Sequence, residues 1–345
     1  MKGLEELSIT CDDDDEDDLN DGIMAGCIPS LAACTGMRKL ALRDLNISTN
    51  SCTALSAVFP EMSALQRLDL CGNSIDHDCA EDLVNGLGDC EHLHRLDLRF
   101  NMNGDDGLEM LIQGLPASVD SLDLGWNEIA LARQLPLLKF KVLYLSGNSL
   151  SPGGPRVITA SLAEPECRLE ELYLYDTPIG DEGAATLATS MPGNQRLTHV
   201  YLDENNITKT GLNAAFSAIL CDTTSINATH GSNHTLQFLG STYNLPSDVK
   251  MWLQLNSDQD KSRVAAKKIL LTHRHLDMKP LFDRQLDLLP RVVTWLDRFA
   301  VSRLDLKLSS IHEFVRAMPM EVVEGMLGKN KGKKRRRSSS NHGRH

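Results

Sequence analysis

Six residues in one short stretch, Cys71, His77, Cys79, Cys90, His92 and His94, are of the types that ligate zinc or move protons. Their spacing decides against a metal. Cys71 falls on an extended segment, whereas Cys79 falls in the small-residue slot at the start of the following helix, where other copies of the same pattern carry Gly107, Gly183 and Gly211. Ligands pointing to different sides of one unit do not close a tetrahedron of about 2.3 Å bonds, so these residues are expected to pack rather than to coordinate. His273 and His275 read as surface residues. The acidic run over 12–18, DDDDEDD, fails as a calcium loop: counted from Asp17, its third and twelfth positions are Leu19 and Ile28, which offer no oxygen ligand. A solvated loop, or a contact for a basic partner, is the expectation there. The chain contains no phosphate-binding glycine loop, no dinucleotide fingerprint, no H-E-x-x-H and no nucleophile elbow. Catalysis is therefore not expected, nor is any cofactor.

What the sequence does contain is a repeat. LQRLDLCGNSI (65–75), LHRLDLRFNMN (93–103), VDSLDLGWNEI (119–129), FKVLYLSGNSL (140–150), LEELYLYDTPI (169–179) and LTHVYLDENNI (197–207) fit L-x-x-L-x-L-x-x-N-x-I, and copies at 4–14 and 37–47 fit it loosely. The marker position recurs at 7, 40, 68, 96, 122, 143, 172 and 200, close to one period except for a step of 33 across the acidic run and a step of 21 before 143. Alternation along an extended segment sends both leucines of L-x-L to one side and the intervening residue to the other. The asparagine is suited to satisfying backbone groups where the chain leaves the strand. Stretches such as IGDEGAATLATSM (179–191) then carry small and apolar residues at helical spacing. One such unit cannot bury its leucines alone, and stacking closes the core into a solenoid.

These repeats resemble the leucine-rich repeat proteins of the ribonuclease-inhibitor type, in which a helix backs each strand. The segments NHTLQFLG (233–240), LPSDVKMWLQLN (245–256), AAKKILLTH (265–273) and SSIHEFVRAMP (309–319) resemble the helical C-terminal region of a large leucine-rich repeat family of unicellular algae. The resemblance implies an α/β fold: a horseshoe with a parallel concave sheet and convex helices over 1–240, then an α-helical C-terminal region over 241–328. Helical patterns fall at 246–255, 260–273, 280–300 and 303–327. The step of 21 leaves little room for a helix over 131–140, so curvature is expected to change there. The first copy begins on a strand with no polar cap, from which either an association at that end or an upstream segment is expected.

The working surface is expected where strand residues cannot face the core. Between the two leucines the column reads Ala41, Asp69, Asp97, Asp123, Tyr144, Tyr173 and Tyr201, and neighbouring positions add Arg67, Arg95, Arg99, Tyr175 and Asp203. Trp126 and Phe100 follow their strands directly. Tyrosine, tryptophan and arginine are the residues that dominate binding hot spots. Arg67, Asp69, Arg95, Asp97, Arg99, Asp123, Trp126, Tyr144, Tyr173, Tyr175 and Tyr201 are therefore the candidate contacts for a protein or peptide on the concave face.

Charge separates the body from the tail. Residues 1–328 carry 27 Lys and Arg against 47 Asp and Glu, a net charge of −20, while 329–345 adds eight cations and no acid. A body that acidic repels phosphate backbones, so nucleic acid is not its expected partner. The tail composition cannot build a core and is expected to be disordered. Within it Lys333, Lys334, Arg335, Arg336 and Arg337 match a basic nuclear-import motif, and Ser338 and Ser339 are candidate phosphorylation sites beside those cations. No signal peptide, bilayer-spanning apolar run or lipidation motif is present, and the nine scattered cysteines lack a CxxC pair. An intracellular protein-binding scaffold is the reading, with regulation of an enzyme, such as activation of a small GTPase, as its alternative.

Overall fold

The computed structural model describes residues 3–11, 20–240 and 245–273. The acidic run over 12–18, the helical patterns at 280–300 and 303–327, and the basic tail with Lys333–Arg337, Ser338 and Ser339 lie outside the described residues.

Eight short strands alternate with helices. In order they are β1 (Glu6–Thr10), α1 (Asp21–Cys27), β2 (Lys39–Arg43), α2 (Thr49–Val58), β3 (Arg67–Asp69), α3 (His77–Leu87), β4 (Arg95–Asp97), α4 (Asp105–Gly114) and β5 (Ser121–Asp123). There follow β6 (Val142–Tyr144), α5 (Gly154–Ala163), β7 (Glu171–Tyr173), α6 (Gly180–Ala188), β8 (His199–Tyr201), α7 (Lys209–Leu220), α8 (Ile226–His230), α9 (Ser247–Asn256) and α10 (Lys261–Thr272). The strands form one sheet in chain order, every pair parallel, and the marker leucines 7, 40, 68, 96, 122, 143 and 172 pair in register with one another and with Val200. An isolated parallel bridge from His199 adds Phe238 beyond β8. By contacts the chain divides into two compact units: one takes in the chain to Asp222 and again Gly231–Lys261, the other Thr223–His230 and the chain from Ser262.

The core of the first unit follows from the repeat. Both leucines of each L-x-L from β2 to β7 are buried, among them Leu68 and Leu70, Leu96 and Leu98, and Leu143 and Leu145. Burying each contributes about 1.5–3 kcal/mol. The asparagines knit consecutive units together. Asn148 Oδ1 accepts from the amides of Asn127 (3.2 Å) and Ile129 (2.9 Å), and its Nδ2 donates to the carbonyls of Leu124 (2.8 Å) and Leu145 (2.9 Å). Asn73, Asn101 and Asn205 likewise bond to the preceding unit. Where Asn is replaced, Thr177 donates to the carbonyl of Leu174 (2.5 Å) and Leu45 fills the position as buried hydrocarbon. Repeating this arrangement holds the strands in register, because backbone groups left by three-residue strands find partners in the next unit.

The short repeat behaves as its length predicts: no helix lies between β5 and β6. Asp105, at the start of α4, stands in for it. Its carboxylate accepts from the amides of Ala130 (3.0 Å), Leu131 (2.8 Å) and Ala132 (2.7 Å), pinning the irregular stretch to the previous unit. The expected helices at 246–255 and 260–273 are α9 and α10, and α9 packs on α7.

Candidate protein-binding face

The strand residues that turn away from the leucines line the open face of the sheet. Register places Asp69, Asp97, Asp123, Tyr144, Tyr173 and Tyr201 in one row across β3 to β8. Parallel strands lie about 4.8 Å apart, close to ring-stacking distance, so tyrosines in register stack. Tyr144 and Tyr173 lie 4.0 Å apart at 19°, and Tyr173 and Tyr201 lie 4.0 Å apart at 8°. Phe238 continues the row at 4.7 Å from Tyr201, and His199 flanks it at 5.9 Å from Phe238. The Tyr173 hydroxyl donates to Glu171 Oε2 at 2.9 Å. Burial, together with its hydrogen bonds to Tyr201 and Glu171, raises the Tyr173 phenol well above its ordinary pKa. Tyr175 lies outside the stack and is 43% exposed.

At β2 to β5 the row is ionic. Asp97 and Asp123 are only 3% and 2% exposed. Arg99 covers both: its Nε and Nη2 reach Asp97 at 3.0 and 2.9 Å, and its Nε lies 3.3 Å from Asp123. Arg95 lies 3.8 Å from each carboxylate, and Arg43 donates to Asp69 through Nε (2.8 Å) and Nη2 (2.5 Å). The hydrogen-bonded Asp97 carboxylate raises Arg99 further above the usual guanidinium range. Burial, with Asp97 beside it, pushes the Asp123 carboxyl up to about 7. Direct presentation of Asp97 and Asp123 to a partner, as the sequence suggested, is thereby corrected. They sit beneath the guanidinium groups and hold them in place, and the surface above them is arginine. Arg95 also joins the two halves of the row, its guanidinium carbon 5.5 Å from the centre of the Tyr144 ring.

Phe100 and Trp126 occupy the turns after β4 and β5 and stack at 4.9 Å and 13°. Both backbones are left-handed, with φ of 52° and 51°. The same turn position holds Gly72 and Gly147 at φ 70° in the flanking repeats. A Cβ added at Gly147 would come within 2.5 Å of the Trp126 ring, so the indole lies directly over that glycine.

The candidate contacts named from sequence thus fall into an arginine patch, a tyrosine stack and an aromatic pair, with Tyr175 apart from all three. Four further participants escaped the sequence: Lys39, Arg43, His199 and Phe238. Arg43 sits at the strand position corresponding to Cys71 and Arg99, so the column itself could have revealed it. Phe238 sits in a degenerate copy, LQFLG, whose Leu236 and Leu239 are buried. The cysteine and histidine cluster does not assemble: among the described residues no group of three or more His, Cys, Asp or Glu could hold a metal ion. Cys79 is buried in α3, Cys90 is buried with its thiol 3.5 Å from the Phe59 carbonyl, and all nine cysteines are free thiols. No helix among the described residues is long and apolar enough to cross a membrane.

Comparison with known proteins agrees with the repeat. A model of the Leucine Rich repeat family matches residues 89–111 and 167–188. NACHT, LRR and PYD domains-containing protein 3 of Mus musculus is 26% identical over 213 residues, covering 59% of this chain and 21% of that protein. The ribonuclease inhibitor of Sus scrofa is 29% identical over 157 residues, 42% of this chain and 34% of the inhibitor. Among solved structures, an internalin from Listeria monocytogenes aligns with a TM-score of 0.35 at 20% identity over 52% of this chain and 51% of its own. The chain spans 21% of the length of the NACHT protein it matches. Repeat matches, in-register strands and the helix behind every strand but β5 agree on the fold, a leucine-rich repeat solenoid similar over part of its length to the ribonuclease inhibitor.

Proposed function

We propose that this chain is a non-catalytic module that binds a protein or peptide on the open, concave face of its sheet. The observation that carries this reading is the tyrosine stack. Tyr144, Tyr173 and Tyr201 lie on the side of the sheet away from the leucine core, remain partly exposed, and stack on one another. A preordered aromatic surface loses little side-chain entropy when a partner settles on it, which is what a binding hot spot needs. The similarity to a ribonuclease inhibitor supports the same class of role.

The test is affinity purification of the tagged full chain from its source cells, with the dominant partner identified by mass spectrometry. Tyr173→Ala combined with Tyr201→Ala should reduce recovery of that partner by about tenfold or more, as hot-spot truncation does. Glu182→Ala on the helical side should leave recovery unchanged, and thermal melts should show both variants folded. Undiminished recovery with the double tyrosine variant would sink the concave-face reading.

A further inference from the structure

The patch over β2 to β4 has a property that the charge of the whole chain conceals. Within a body of net charge −20 it presents cations outward. Lys39, Arg43, Arg67, Arg95 and Arg99 line one shallow concavity of about 250 Å³, with Asp69 and Asp97 at its floor. The side chains of Arg43, Arg95 and Arg99 keep 44, 38 and 36% of their surface exposed, whereas the side chains of Asp69, Asp97 and Asp123 keep 17, 5 and 3%. Each carboxylate is thus spent from below on orienting a cation. Lys39 is paired with Glu6 at 2.6 Å. Arg67, between Lys39 and Arg95 in register, is exposed and has no ion-pair partner among the described residues.

A second feature borders the patch. Phe100 and Trp126 are 50 and 36% exposed, and Met102 beside them is 47% exposed. In the other repeats this turn position holds glycine or an acidic residue, with Asp44, Asp176 and Glu204 also adopting positive φ there. Large side chains in left-handed backbone are sterically disfavoured, and the solenoid does not require them here.

We infer that this patch is the docking site for an acidic linear segment of a partner protein, its carboxylates meeting Arg67 and the outward faces of Arg95 and Arg99, and an adjoining apolar residue lying on the Phe100–Trp126 pair. The inference rests on the protein-binding reading and assigns it a ligand chemistry. Charge complementarity selects a carboxylate-bearing peptide over a basic or neutral one. A long nucleic acid would extend past the patch over surface that is net negative, whereas a short segment stays on it. From β2 to the turn after β5 is three strand spacings, roughly 14 Å, which four or five extended residues cover. Planar guanidinium groups already fixed by buried carboxylates meet an incoming carboxylate with little loss of freedom.

A fluorescein-labelled peptide of four glutamates followed by proline and phenylalanine is the probe, titrated into the full chain by fluorescence anisotropy. Saturable binding is expected, weakening about tenfold between about 50 mM and about 300 mM sodium chloride as screening increases. Arg67→Glu should weaken it by about tenfold or more, and Arg67→Gln by less, with melting temperatures unchanged because Arg67 supports no core contact. Trp126→Ala with Phe100→Ala should weaken the glutamate peptide but not a variant of it ending in two glycines. Absence of saturable binding, equal binding by the Arg67→Glu chain, or tighter binding of a lysine peptide or of a short single-stranded DNA would each overturn the inference. Glu182→Ala on the helical side should leave peptide affinity intact, and partner recovery by the Tyr173→Ala, Tyr201→Ala chain tests the concave-face reading separately.

Discussion

Asp123 is the residue at which the open face meets the energetics of folding. Its carboxyl is buried beside Asp97, and although Arg95 and Arg99 lie close, loss of hydration dominates and its pKa rises to about 7. A folded-state pKa above the unfolded value means that the native state binds the proton more tightly. The contribution to stability is therefore fully present below the unfolded pKa and is lost as pH climbs through about 7. Chemical denaturation from pH 4 to 8 should show stability falling by roughly 2–4 kcal/mol through this group, and Asp123→Asn should remove most of that slope. An identical slope in the variant would mean that the guanidinium groups keep Asp123 charged throughout.

Among elements, the helices behind the sheet pack more closely than their sequences suggest. α3 crosses α2 at Gly86, where an added Cβ would lie 2.5 Å from the Cα of Ser56, a backbone contact that a rotamer change cannot relieve. Alanine is the better helix former, yet Gly86→Ala should destabilise by about 1–3 kcal/mol because overpacking outweighs propensity. Gly26 in α1 has open space around its Cβ position, and Gly26→Ala should stabilise by about 0.5–1 kcal/mol. Urea midpoints moving the same way for both would refute the packing argument. The pair also shows how legible the molecule was. Leucine positions, strand register, the missing helix at 131–140 and the tyrosine column all followed from one periodic pattern. The burial of Asp97 and Asp123 did not, because Arg99 reaches Asp123 on the next strand and no local pattern records such a crossing. Asp105 was equally hidden: an acidic residue in the first turn of a helix looks like dipole compensation, whereas its three bonds run to residues 25 to 27 positions later. Phe238 was missed because its repeat copy had lost the spacing on which the others were found.

For the repeat unit as a whole, the interruption at β5 to β6 governs cooperativity. Helices α1 to α4 pack on one another in sequence, and α5 to α7 do the same, but α4 and α5 share no packing of that extent, the helix that would stand between them being missing. A solenoid's stability is close to a sum of unit terms and nearest-neighbour interface terms. Across this one step the interface keeps its sheet bonds and buried leucines, together with the Asp105 carboxylate, and lacks the helical layer. The weakest coupling in the array is therefore expected there, dividing β1–β5, which carries the arginine patch, from β6–β8, which carries the tyrosine stack. Native-state hydrogen exchange in low urea should show two groups of strand amides, with opening free energies separated by about 1–3 kcal/mol. Asp105→Ala should widen the gap by releasing the amides of 130–132, whereas loss of a carboxylate from an exposed helix face, as in Glu182→Ala, should not. One common opening energy for all eight strands, unmoved by Asp105→Ala, would show that the sheet alone transmits cooperativity across the missing helix.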